Sequence, residues 1–142
     1  MLRRSLALAS IAVLLAGTAS AATVKFSATL AATSEVPPGK STGSGEATVS
    51  LDTATHEITY NVTFKGFASA VTAAHIHGPT EAGKNAGVVV PLGNAAPTSP
   101  IHGTAKLTAE QEKDLTAGMY YVNVHTKNNP GGAIRGQLAA AK

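Results

Sequence analysis

Hydrophobic and polar residues alternate with a period of two along much of this chain. The alternation is regular over residues 24–30, 47–51 and 58–64. Because successive side chains of a β-strand point to opposite faces, this pattern predicts half-buried strands. Five further segments carry shorter patterns of the same kind: "TAAHIHG", "VVVPL", "IHGTAKL", "MYYVNVHT" and "AIRGQLA". Eight short strands at this spacing predict an all-β fold, an antiparallel Greek-key-like sandwich or barrel.

Two local features refine this prediction. Thr108, with Gln111 three residues later, has the spacing of a capping box, which predicts one short helix over Ala109 to Ala117. Pro91 has no N–H to donate to a strand ladder. We therefore expect the VVVPL strand to lie at an edge of the sheet or to end at the proline.

The N-terminus has the pattern of a secretory signal peptide. Arg3 and Arg4 precede an apolar run over residues 6–17, and Ala19-Ser20-Ala21 provides an A-x-A cleavage site. We therefore predict a signal peptide over residues 1–21 and a single β domain over residues 22–142, secreted or periplasmic. The apolar run is short for a bilayer span, so we expect no membrane span after cleavage.

Composition argues against a nucleic-acid partner and against stabilisation of the domain by disulfide bonds. Loss of Arg3 and Arg4 with the signal peptide lowers the formal charge from +3 to +1 and leaves no dense basic patch. Trp is absent and aromatic residues make up only 4% of the chain, so a base-stacking surface is not expected either. We expect no nucleic-acid partner. With no cysteine, the domain must be held by its core, or by its core and a metal ion.

Three histidines are the strongest candidates for chemistry. His75 and His77 are two residues apart on a predicted strand and therefore share a face, while Ile76 points into the core. The same parity places His125 on the outer face of a later strand. Three imidazoles with one open coordination position fit a copper or zinc ion. The sequence therefore indicates a surface metal site made by His75, His77 and His125.

Two further residues are candidate accessories to this site. Arg135 points outward in the strand after His125, and the hairpin between them brings it near the His125 end. It would attract anions or orient a ligand. His102 is the better candidate for an extra ligand among the remaining histidines, whereas His56 fits an exposed turn position.

Two other functions are compatible with the same residues. The histidines could instead brace loops through hydrogen bonds to the backbone, since Gly78-Pro79 follows the pair directly. The chain would then be a metal-free extracellular structural or protein-interaction module. An enzyme, such as a dismutase-like redox protein, is the third alternative. It has the least support, because no pair of acid and base residues is evident.

Several blocks of the sequence, in order, resemble the CHRD domain, a module first named from chordin and found widely in secreted bacterial proteins. The resemblance covers about Thr23 to Leu138 and differs at Ala133, where the family usually has Glu. It implies an all-β domain of poorly defined role, which in chordin belongs to an extracellular protein that binds growth factors. The matching blocks are "SEVPP", "TAAHIHGP", "GVVVPL", "GTAKLTAEQEKDLTAGMYYVNVHT" and "NPGGAIRGQL".

Overall fold

The computed structural model describes residues 21–142. The predicted signal peptide lies outside this range except for Ala21. The described residues form nine strands, one α-helix and one 3-10 turn. The strands are β1 (Thr23–Ala31), β2 (Ser44–Asp52), β3 (Glu57–Lys65), β4 (Val71–His77), β5 (Val88–Pro91), β6 (Ile101–Lys106), β7 (Tyr121–Thr126), β8 (Ile134–Gln137) and β9 (Ala139–Ala140); the helix is α1 (Ala109–Thr116), and the 3-10 turn is Ala32–Ser34.

All the strand pairs are antiparallel and form one sheet in the order β5-β4-β7-β8-β1-β2-β3-β6, with β9 also paired to β1. The sheet curls into a nearly closed barrel, which confirms the predicted all-β class. Its two edges are β5 and β6. The edge position predicted for the strand that contains Pro91 is therefore confirmed.

The barrel interior is filled by the apolar residues of the alternating pattern. Each strand of the β1-β2-β3 meander sends every second side chain inward, and these side chains are almost completely shielded from solvent. Burial of this kind stabilises the fold by roughly 25 cal/mol per Å² of apolar surface. The largest fully buried side chains are Tyr120, Phe26, Leu30, Leu51, Ile58, Ile76, Leu92, Leu115, Ile134, Leu138, Val49 and Val62.

The helix begins where the capping box predicts. The Thr108 hydroxyl accepts from Gln111 N at 3.2 Å, and the Gln111 side chain accepts from Thr108 N at 2.9 Å. The helix ends at Thr116, one residue before the predicted end, and buries Leu115. No helix within residues 21–142 has the length and hydropathy needed to cross a bilayer.

Candidate metal centre

The imidazoles of His75, His77 and His125 converge on one point outside the barrel core. Each ring offers one nitrogen, and these three nitrogens lie within 4.8 Å of one another. The ring centroids are 4.9 Å apart for His75 and His125, 5.4 Å for His75 and His77, and 5.9 Å for His77 and His125. The structure therefore brings together the three histidines that the sequence singled out.

Strand pairing explains this convergence. β4 pairs with β7 so that Ala73 lies opposite His125 and His75 lies opposite Asn123. His125 is thus a diagonal neighbour of His75, within reach of a side chain as long as imidazole. Ile76 points into the core with 1% of its surface exposed, so its two neighbours in sequence face the other way. The parity argument from the sequence is confirmed.

Backbone carbonyls fix the orientation of two rings. Nδ1 of His77 donates to Ala86 O at 3.0 Å, and Nδ1 of His125 donates to Pro130 O at 2.9 Å. Since a carbonyl can only accept, each Nδ1 carries the proton and each Nε2 keeps a lone pair. Metal-binding histidines are commonly held in this way by a second hydrogen bond from the other ring nitrogen.

The lone pair of His77 has no partner in the described part of the chain. His77 Nε2 is buried and makes no hydrogen bond there. An unsatisfied buried polar atom costs free energy, and a bound cation would remove that cost. Among the described residues, His77 Nε2 is thus a buried ring nitrogen of the cluster that no hydrogen bond satisfies.

The distance between the other two rings also suits one ion. His75 Nδ1 lies 3.1 Å from His125 Nε2. Two nitrogens bound at roughly 2.0–2.1 Å to a tetrahedral ion are about 3.3 Å apart. Without an ion, the same distance is a hydrogen bond that His75 Nδ1 donates to the lone pair of His125. Exchange of that proton for a metal ion needs only a change of tautomer at His75.

Burial keeps the site in the neutral form that binds metals. It lowers the pKa of His75, and the nearby rings of His125 and His77 lower it further. Burial also lowers the pKa of His77, against a smaller opposite effect of the hydrogen bond to Ala86. Neutral imidazole is the ligand form of histidine. Both rings therefore present lone pairs at neutral pH without losing a proton first.

The expectation of a site on the outer surface is wrong in one respect. The histidines do face away from the barrel core, but loops cover this face. Only 8% of His77 is exposed, while His75 and His125 are half-buried. The connection from β4 to β5 folds back over His77, which the alternating pattern could not predict.

Arg135 lies close to the site, as predicted, but it is buried rather than exposed to solvent. Its side chain is 2% exposed, with the guanidinium carbon 3.5 Å from the centroid of the Tyr121 ring. The guanidinium donates to Asn85 Oδ1 at 2.8 Å and to Lys84 O. The other neighbour of Tyr121 is His77, stacked at 5.0 Å between centroids. Arg135 therefore holds the covering loop rather than presenting its charge to solvent.

Glu35 is a residue near the site that the sequence analysis missed. Its carboxylate accepts a 2.6 Å hydrogen bond from Asn123 Nδ2, and only 8% of the residue is exposed. Burial raises the pKa of Glu35 to about 7, against smaller opposite effects of Asn123 and Arg135. Glu35 is part of the "SEVPP" block that resembles the CHRD family. Its place in a loop far from the histidines in sequence gave no spacing from which to infer this contact.

The remaining histidines lie outside the cluster. His102 is exposed on β6, opposite Asn61 of β3, so the structure does not bring this candidate accessory to the three rings. His56 lies in the turn between β2 and β3, where Nδ1 contacts the Glu112 carboxylate on α1. It joins the helix to the barrel.

Comparison with known proteins agrees with the resemblance of the sequence blocks to the CHRD domain. A search of curated proteins gives no match for this chain. The profile of the CHRD domain matches residues 26–138, which include the whole three-histidine cluster and most of the barrel. The chain therefore belongs to the CHRD-domain family.

Proposed function

We propose that this protein is a secreted or periplasmic CHRD-domain protein that binds one transition-metal ion, copper or zinc, through His75, His77 and His125. The observation that carries the proposal is the buried Nε2 of His77. This atom has no hydrogen-bond partner among the described residues. Its ring belongs to the group of three histidines that each offer one nitrogen, and these nitrogens lie within 4.8 Å of one another.

The chemistry of the ligand set supports copper or zinc. Imidazole suits both metals, whereas calcium and magnesium prefer oxygen ligands. Three imidazole ligands leave one position of a tetrahedral ion open to water or to a partner. Hydrogen bonds to backbone carbonyls already fix the ring orientation and tautomer of His77 and His125. This lowers the free-energy cost of ordering the ligands when a metal binds.

Calorimetric titration of Cu(II) and Zn(II) into the exported protein tests the proposal. We expect one ion per chain, and binding at least about tenfold weaker after replacement of any one of the three histidines by alanine. His56→Ala is the matched control, because this histidine joins α1 to the barrel and should leave binding unchanged. Equal, weak binding by wild type and the triple alanine variant would refute a metal site at these residues.

The proposed location has a separate test. N-terminal sequencing of exported material should begin at or near Ala22, after the A-x-A site. A chain that begins at Met1 in the exported fraction would contradict the signal peptide.

A metal-free interaction module is the second candidate. Its support is that His77 and His125 each brace a loop through a backbone carbonyl. The partner would then be another extracellular protein. This function predicts that alanine variants lose stability without any loss of metal binding, which the same titrations distinguish.

A further inference from the structure

The charges around a half-buried site influence how tightly it holds a divalent ion. The ligand set contains no carboxylate, since all three members of the group are imidazoles. Neutral imidazole is the form of histidine that binds a metal, so the ligands bring no negative charge to the ion. A bound ion would therefore keep its full charge in a half-buried environment, where an uncompensated charge is costly.

A fixed positive charge lies on the same face. The Arg135 guanidinium packs on the Tyr121 ring, on which the His77 imidazole also stacks. The strand that carries Tyr121, β7, lies between β4 with His77 and β8 with Arg135. One aromatic ring therefore separates the cation from a metal ligand. Arg135 is 2% exposed, so water screens its charge far less than it would at the surface.

The nearby carboxylate compensates this charge only in part. Glu35 is engaged by Asn123 at 2.6 Å and is not one of the metal-binding group. With a pKa of about 7, it carries only part of a negative charge at neutral pH. The surroundings of the three rings thus disfavour each additional positive charge on a bound ion.

We propose that the three-histidine site selects for charge and binds copper as Cu(I) more tightly than it binds Cu(II) or Zn(II). This inference rests on the metal site proposed above and names the ion that the site prefers. The neutral ligands, the buried guanidinium one ring away and the half-buried position favour a monovalent over a divalent ion. Copper is the common biological metal that offers a monovalent state to imidazole ligands.

The expected size of the effect follows from Coulomb's law. For an illustrative separation of about 10 Å and an effective dielectric of about 20, a unit charge changes the relative affinity for ions that differ by one charge by at least about tenfold. For a one-electron couple, tenfold corresponds to about 59 mV in reduction potential. The charge of Arg135 should therefore be measurable as a shift in the potential of bound copper.

The test compares both oxidation states on the same protein. Affinity for Cu(I) is measured without oxygen by competition with a chromophoric Cu(I) chelator, and affinity for Cu(II) by competition with a Cu(II) chelator. The potential of the bound couple is measured at an electrode. We expect tighter binding of Cu(I) than of Cu(II) and Zn(II), and a potential above that of aqueous copper.

Four variants separate charge from structure. Arg135→Gln should lower the potential by about 59 mV or more, whereas Arg135→Lys should keep most of it. Glu35→Gln should raise the potential at pH 8, where the wild-type carboxyl is ionised. Lys84→Gln is the matched control, because it removes an exposed charge of the same loop and keeps the carbonyl that binds Arg135. Should Arg135→Gln fail to fold, Glu35→Gln tests the same charge effect in the opposite direction.

The outcomes distinguish this inference from the proposed function. Tighter binding of Cu(II) or Zn(II) than of Cu(I) would overturn the inference while the metal site stands. A reduction potential of bound copper that is the same in wild type, Arg135→Gln and Glu35→Gln would also overturn the inference. The charges of these two residues would then have no influence on the preference for Cu(I). Failure of all three ions to bind would overturn both proposals.

Discussion

The phenol ring of Tyr121 lies parallel to the imidazole of His77, with an angle of 4° between the planes and 5.0 Å between the centroids. The two side chains also share one backbone partner. The Tyr121 hydroxyl donates to Ala86 O at 3.3 Å, and the same oxygen accepts from His77 Nδ1 at 3.0 Å. Tyr121 therefore positions both the ring of His77 and the loop that covers it.

Replacement of Tyr121 should separate these two contributions. Tyr121→Phe keeps the ring stacked on His77 and loses only the hydroxyl contacts with Ala86, so we expect a loss of metal affinity below about tenfold. Tyr121→Ala removes the stack as well and leaves a cavity, so affinity should fall further, and stability should fall by about 3–5 kcal/mol as for other large aromatic residues. Titration and thermal melts of both variants measure this. Equal affinity in Tyr121→Ala and wild type would show that the stack does not position His77.

Metal binding should persist to a lower pH than that of an ordinary histidine site. Burial lowers the pKa of His75 and His77, so these rings take up a competing proton only below the usual value of about 6.5. Titrations of Zn(II) at a series of pH values from about 4.5 to 8 should show a midpoint of loss below 6.5. Loss of half the affinity at or above that pH would contradict the neutral, desolvated state of the rings.

Glu35 should make the metal-free fold less stable as the pH rises. In the folded protein its pKa is about 7, while in the unfolded chain it is near 4.3. Between these values the folded state binds more protons, so the free energy of unfolding falls with pH by at most about 1.4 kcal/mol per pH unit from this group. The contribution is fully present below about pH 4.3 and is lost as the pH rises through 7.

Denaturant unfolding of the metal-free protein between pH 4.5 and 7.5 measures this slope. Glu35→Gln should reduce the slope and be more stable than wild type at pH 7.5, since the amide oxygen still accepts from Asn123. Glu81→Gln is the control, because Glu81 is exposed and, within residues 21–142, pairs with Lys84 of its own loop. A slope that is unchanged in Glu35→Gln would show that this carboxyl is not desolvated.

The capping box should account for a measurable part of the stability of α1. Thr108→Ala removes the acceptor of Gln111 N and should lower the free energy of unfolding by about 1 kcal/mol. Thr104→Ala on the exposed face of β6 is a matched control and should change stability by less than about 0.5 kcal/mol. Equal losses in the two variants would contradict a capping role for Thr108.

Sequence alone predicted the parts of this structure that depend on local patterns. Alternation placed the strands and the core, and the parity of His75, His77 and His125 placed three rings on one face. The burial of that face was not predictable, because it depends on how the loops around Lys84 and Glu35 fold back over the sheet. Those contacts join residues about 50 and 88 positions apart, and no periodic signal marks them. The sequence thus predicted the direction of Arg135 but not its burial.

A crystal structure of the protein grown with copper or zinc, with anomalous scattering recorded at the absorption edge of the metal, tests the central claim most directly. The account predicts one peak at roughly 2.0–2.1 Å from His75 Nδ1, His77 Nε2 and His125 Nε2. The hydrogen bonds from His77 to Ala86 O and from His125 to Pro130 O should be retained. A peak at His56 or His102 instead, or the absence of a peak at the three rings in crystals grown with excess metal, would contradict it.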